Sequence, residues 1–109
     1  MSAKSKNPTN PLPILEVNWT RQARLDLARL RAFLAEKNPD AANRAIRTIQ
    51  REMRFLESHP EIGRPVPELS PEYRERVIEF GQGGYVTLYR YDGIQVLVLA
   101  VRHGREAGY

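Results

Sequence analysis

Four residues near the C-terminus, Arg102, His103, Arg105 and Tyr109, combine the groups that RNA cleavage by a ribose hydroxyl requires. That reaction needs a base for the hydroxyl, an acid for the leaving oxygen and cations for the developing charge. His103 and Tyr109 suit the acid/base roles, and the Arg102 and Arg105 guanidiniums suit the phosphate. The same tail also suits a solvated polar terminus. Spacing leaves both readings open. Elsewhere the chain is chemically sparse. It has no Cys, which excludes thiolate catalysis and disulfides. His59 and His103 are too few for a zinc site without well-placed carboxylates, so no metal and no cofactor are expected. Gly81-Gln82-Gly83-Gly84 lacks the glycine spacing of a phosphate loop and precedes a strand, so it reads as a turn.

A second group of residues points to binding. Seventeen Lys and Arg face thirteen Asp and Glu, for a formal charge of +4, and fourteen of the seventeen bases are Arg. Guanidinium forks match carboxylates and phosphates, so the excess favours an acidic protein or a nucleic acid as partner. Arg44, Arg47, Arg51 and Arg54 recur at steps of three, four and three, which aligns them as a ridge on one side of a helix. The ridge suits docking of an acidic segment, or a plain solvated face.

The elements that position these residues follow from periodicity. Ile14 to Trp19 alternates as a first strand, and Thr20 is a good N-cap. A helix is expected from about Arg21 to Lys37. Ala23, Leu27, Leu30 and Leu34 form its apolar stripe, widened by Leu25, Ala28, Ala32 and Phe33. Trp19 and Phe33 are expected in the core. Asn38 caps a second helix with Pro39 at its first position, running to about Ser58. Its stripe is Ala42, Ile46 (with Ala45 beside it), Ile49, Met53 and Leu56. So short a connection makes the helices an antiparallel hairpin. Residues 59 to 72, with four Pro, read as an ordered loop in which Arg64 pairs with Glu61 or Glu68. Three strands follow: Tyr73 to Phe80, Tyr85 to Tyr91 and Ile94 to Arg102. Asp92-Gly93 forms the last hairpin. Val96 to Val101 is apolar on both faces and belongs inside the sheet, with Tyr73 to Phe80 more exposed.

The length of 109 residues fits one domain with a modest core. Residues 1 to 13, with three Pro among polar residues, read as a loose arm before a domain over 14 to 109. No run approaches the roughly 20 apolar residues of a membrane span, and the N-terminus lacks a signal-peptide core. A cytoplasmic protein with no membrane partner is expected. The fold expected is α+β: strand, helix, helix and three strands, with the helix hairpin on one face of a mostly antiparallel sheet.

Several ordered segments extend this reading. They are Val17-Asn18-Trp19-Thr20, Asn38-Pro39-Asp40-Ala41-Ala42, Pro60-Glu61-Ile62-Gly63-Arg64-Pro65-Val66, Gly83-Gly84-Tyr85 leading to Leu88-Tyr89-Arg90, and Val98 through Tyr109. Together they resemble the ParE/RelE superfamily of bacterial toxins over residues 14 to 109. The resemblance implies the toxin of a type II toxin–antitoxin module, held in a hetero-oligomer by a cognate acidic antitoxin whose C-terminal segment wraps it. Arg44, Arg47, Arg51 and Arg54 are then the expected antitoxin contacts, with Arg29 and Arg31 as further candidates. The RelE branch cuts messenger RNA on the ribosome, whereas the ParE branch interferes with DNA gyrase. The nuclease branch carries basic residues at positions matching Val77 and Glu79, and an Arg where this chain has Val86. Those replacements favour the gyrase branch, with Arg102, His103, Arg105 and Tyr109 as target contacts rather than catalytic groups. Arg74, Arg76 and Arg90 would compensate for the missing cations only in a different register.

Overall fold

The computed structural model describes residues 15–81 and 83–104. The expected arm, residue 14 and residues Arg105 to Tyr109 lie outside them. Strand β1 (Glu16–Trp19) leads into helix α1 (Arg21–Ala35) and helix α2 (Pro39–Phe55). Strands β2 (Arg64–Pro65), β3 (Tyr73–Ile78), β4 (Tyr85–Tyr91) and β5 (Gln95–His103) complete the chain. They form one sheet in the order β1-β5-β4-β3-β2. The β1–β5 pair is parallel and the others are antiparallel. The expected α+β architecture is present, with β5 inside the sheet between β1 and β4.

The helix starts are set by their caps. Thr20 Oγ1 accepts the Ala23 N–H at 3.1 Å, and Asn38 Oδ1 accepts the Ala41 N–H at 3.1 Å. Helix α1 ends two residues before the expected Lys37, because Asn38 is extended ahead of Pro39, as a residue before Pro tends to be. The buried stripes of Ala23 and Leu30 on α1, and Ala42, Ala45, Ile49 and Met53 on α2, hold to the expected spacing. Ala23, Leu30, Ala45, Ile49 and Met53 meet Tyr85, Tyr89, Val96, Val98 and Val101 in one core, with Val17 and Trp19 packed against it.

Three expectations are corrected. Leu25, Ala28, Ala32 and Phe33 do not widen the stripe: Leu25 is 51% and Phe33 59% exposed, and both alanines are exposed. Leu25 lies roughly 200° around the helix from Ala23, and Phe33 sits on the flank away from α2. Arg31 marks the opposite flank, bonding Asn43 of α2 at 3.1 Å. In the proline-rich loop, Arg64–Pro65 pairs with β3 as a fifth strand, and Arg64 bonds Glu75 at 3.1 Å rather than Glu61 or Glu68. At the last hairpin, Asp92 N–H donates to Gln95 O, so the reversal centres on Gly93-Ile94. The Asp92 carboxylate accepts the N–H groups of Ile94 and Gln95 at 2.8 and 3.0 Å, which holds its pKa below the usual carboxylate value.

Two features tie the layers together. Strand β5 runs past the end of β1, and α1 takes over its exposed edge: Thr20 Oγ1 donates to Leu99 O at 3.3 Å, and Asp26 Oδ2 accepts the Val101 N–H at 3.0 Å. Asp26 is only 3% exposed. On the far side, Tyr89 donates its O–H to Pro60 O at 2.7 Å and accepts the Gly63 N–H at 2.9 Å. Gly63 is required there, since a Cβ would lie 2.6 Å from the Tyr89 oxygen.

Candidate functional site

Strand alternation gives the sheet two different faces. Tyr85, Tyr89, Val96, Val98 and Val101 point into the core beneath the helices. Their neighbours Val86, Leu88, Leu97, Ala100 and Arg102 therefore belong to the helix-free face. Register places Val77 of β3, Val86 of β4 and Arg102 of β5 side by side in one cross-strand row. Glu75, Leu88 and Ala100 form the next row. Val77 is 45% exposed and Arg102 is exposed. This face carries Val77, Leu88, Leu97 and Ala100 around the buried Val86, with Arg102 at the end of β5, Arg90 opposite Leu97, and the Arg64–Glu75 pair at its far edge.

The two described members of the C-terminal cluster are separated by the same alternation. Arg102 pairs opposite Val86 on the helix-free face, whereas His103 pairs opposite Tyr85 on the helix side. The His103 ring meets Tyr85 edge-on, with centroids 5.6 Å apart and planes at 88°. It also lies against Gly83, where a Cβ would approach Nε2 to 2.4 Å. The Gly104 N–H bonds Gly84 O at 3.1 Å, so the glycine turn and the end of β5 form one packed unit. Tyr85 is buried, and that burial pushes its phenol above the ordinary tyrosine pKa, away from service as a base near neutrality. Arg105 and Tyr109 lie outside the described residues.

The nearby arginines are occupied within the fold. Arg74 donates to the carbonyls of Glu61 and Gly63 at 3.1 and 2.8 Å. Arg76 pairs with Glu52 of α2 at 2.9 Å. Arg90 bonds Glu72, which raises the guanidinium pKa further, and lies 3.9 Å from Asp92. These partners brace the loop, the helix layer and the β4 end respectively. Sequence spacing did not reveal them, because each acceptor is brought in by tertiary packing.

Arg44, Arg47, Arg51 and Arg54 all stand exposed on the outer side of α2. None bonds through its side chain to another described residue, in contrast to Arg31, which is tied to Asn43. Arg54 also borders a groove of about 690 Å³ between the hairpin and β1. Among the described residues, no helix is long and apolar enough to cross a membrane.

Comparison with known proteins matches residues 17–108 to the family described as the ParE toxin of type II toxin–antitoxin system, parDE. Two Caulobacter vibrioides proteins, Toxin RelE3 and Toxin RelE1, are each 38% identical over 85 residues. The matches span 78% of this chain and 89% and 88% of the respective relatives. A solved structure titled as a chromosomal ParDE TA system from P. aeruginosa superposes with a TM-score of 0.63 at 20% identity. It covers 83% of this chain and 96% of that chain, a likeness of fold.

Proposed function

The chain belongs to the ParE toxin family of type II toxin–antitoxin systems, and we propose that it acts by binding and inhibiting DNA gyrase when its antitoxin is absent. The row Val77–Val86–Arg102 carries this reading. Cleavage of RNA requires cations around the phosphate, and two of those places hold valine on an apolar strip. Arg74, Arg76 and Arg90, the cations nearest in sequence, are bound to acceptors of the fold. An apolar patch of Val77, Leu88, Leu97 and Ala100 bordered by arginines is instead the composition of a protein-binding surface, in which apolar residues and Arg are enriched over Lys. Arg102, His103, Arg105 and Tyr109 then serve as target contacts at the end of that patch. The acidic antitoxin docks on Arg44, Arg47, Arg51 and Arg54, whose side chains have no acceptor among the described residues.

The two relatives named RelE favour a second reading, ribosome-dependent cleavage of messenger RNA. In it Arg102, His103, Arg105 and Tyr109 are catalytic. Induced expression in bacteria lacking the antitoxin separates the two. Growth arrest with intact messages and a DNA-damage response is the result expected for gyrase inhibition, and purified toxin should then alter gyrase supercoiling or cleavage. Rapid message cleavage without that response would overturn the gyrase reading.

A further inference from the structure

Strand β2 covers only part of the outer edge of β3, pairing with Arg74 and Glu75. The ladder with β4 shows which backbone groups are left over. Tyr91 N–H donates to Glu72 O at 2.8 Å, so hydrogen-bonded pairs fall at every second residue from there: Arg74 with Tyr89, Arg76 with Thr87 and Ile78 with Tyr85. Tyr73, Glu75 and Val77 therefore turn both N–H and C=O away from β4. Tyr73 N–H bonds Ser70 O at 3.0 Å, and Glu75 faces Arg64 of β2. Val77 lies past the end of β2, so its N–H and C=O face an open edge, and its side chain is 45% exposed. Ile62, which a longer β2 would set opposite Val77, instead donates its N–H to His59 O at 3.3 Å. The chain there drops to the helix side, where Tyr89 holds Pro60 O and Gly63 N–H.

An uncovered strand edge is a template for pairing. A strand added here would alternate between two surroundings. On the helix-free side it extends the row Arg102–Val86–Val77, with the exposed Glu79 two residues on. On the helix side, where Arg76 reaches Glu52, it overlies a groove of about 500 Å³ between α2 and β3. Arg76 and Glu52 neutralise each other at 2.9 Å, which leaves Arg51 and Arg54 against Glu57 in the groove lining, beside the 40% exposed Phe55 ring. That balance favours an acidic side chain. A second copy of the chain does not fit. Antiparallel pairing of two β3 edges about Val77 sets Glu79 of one copy against Glu75 of the other, where that copy's own β2 already lies.

We propose that an extended segment of the inhibited target adds to β3 at Val77, with an apolar residue beside Val77, a basic one beside Glu79 and an acidic one in the groove beside Arg51. This rests on the reading of the helix-free face as the target surface and deepens it, since the added strand continues that face past its β3 edge. Main-chain pairing supplies affinity without sequence, and the alternate positions supply selectivity.

The test uses the full chain with purified gyrase, a supercoiling assay and amide hydrogen exchange read by mass spectrometry. Val77→Pro removes the outward N–H and blocks the edge with its ring, while the β4 ladder, which does not use that N–H, is spared. Val77→Ala trims the side chain and keeps the N–H. Val77→Pro is expected to raise the toxin concentration for half-inhibition by about tenfold, as loss of main-chain pairing does, and Val77→Ala by about threefold or less. Antitoxin affinity, by calorimetry, should be unchanged in both variants. With gyrase bound to the unaltered toxin, exchange over residues 76–79 should slow; this measurement decides if the Val77→Pro variant fails to fold. Equal inhibition by the two folded variants, or unslowed exchange over residues 76–79, overturns the added strand, while inhibition by the unaltered chain keeps the gyrase reading standing. An unaltered chain without effect on gyrase overturns both. Slowing produced by the antitoxin, with its affinity lost in Val77→Pro, would make the antitoxin the occupant. Slowing that grows with toxin concentration alone would make it a second copy. Either result overturns the proposal.

Discussion

Replacing Asp26 tests the claim that α1 closes the edge of β5. Its carboxylate accepts the Val101 N–H at 3.0 Å and the Gln22 side-chain amide at 2.8 Å. Asp26 and Val101 are both buried, at 3% and 0% exposure. Hydrogen bonds to a charged acceptor contribute about 1.5–3 kcal/mol, and a buried donor left without a partner costs about 1–3 kcal/mol. Asp26→Leu removes the first and creates the second, while the added apolar burial offsets about 1–2 kcal/mol. The net loss is about 2–4 kcal/mol, a large share of the roughly 5–15 kcal/mol typical of a domain. Arg29 adds little to this balance, because its guanidinium is 58% exposed and 3.5 Å away. Asp26→Asn keeps an oxygen for Val101 and should lose only about 1 kcal/mol. Urea unfolding of the purified protein reads the difference. With a slope of about 1.5 kcal/mol per molar, Asp26→Leu should lower the midpoint by about 2 M. The reasoning is refuted if that variant unfolds with the unaltered protein, or if the Asn variant is the less stable of the two.

Other expectations follow from the same contacts. Tyr89→Phe removes both the acceptor of Gly63 N–H and the donor to Pro60 O, and should cost about 1–3 kcal/mol by urea unfolding. Gly63→Ala should cost more, because its Cβ would lie 2.7 Å from the backbone oxygen of Glu75; a smaller loss than for Tyr89→Phe would contradict that packing. Burial raises the phenol pKa of Tyr85 and Tyr89 above 10.0, so the unfolded chain ionises first. Stability is therefore whole below pH 10 and falls as pH rises through the folded values; thermal unfolding of Tyr85→Phe should lose part of that alkaline decline. Val77→Lys places a cation at the exposed position of the apolar row, 45% exposed, and should weaken gyrase inhibition in a supercoiling assay while leaving antitoxin affinity unchanged. Undiminished gyrase inhibition by that variant would remove the helix-free face from the target surface.

The fold was legible because its strongest signals are local. Thr20 and Asn38 cap helices through bonds that span three residues, and the stripes of Ala23, Leu30, Ala42, Ile49 and Met53 need only the helical period. What escaped depends on partners distant in sequence. Asp26 reads as one more charge on α1 until β5 outruns β1 and leaves Val101 N–H without a neighbour. Arg64 finds Glu75 rather than Glu61 or Glu68, because β2 pairing sets those two residues opposite each other. Phe33 looks like core by its residue type, but its flank of α1 has no neighbouring helix.

The C-terminal cluster shows how the same distinction bears on function. Arg102 and His103 are adjacent in sequence, and in a loop their side chains can converge on one phosphate. Strand β5 continues through both, which turns the guanidinium to the helix-free face and the imidazole against Tyr85 and Gly83. Arg102 therefore lies beside Val86 and Val77, on the face opposite His103. A base and a cation held on opposite faces of one strand do not share a substrate without a break in that strand. For a binding protein the separation carries no penalty, since Arg102 borders the apolar patch and His103 packs the turn that holds β5 in place. A structure with RNA bound that unwinds β5 at Arg102 and brings both side chains to one phosphate would reverse this inference.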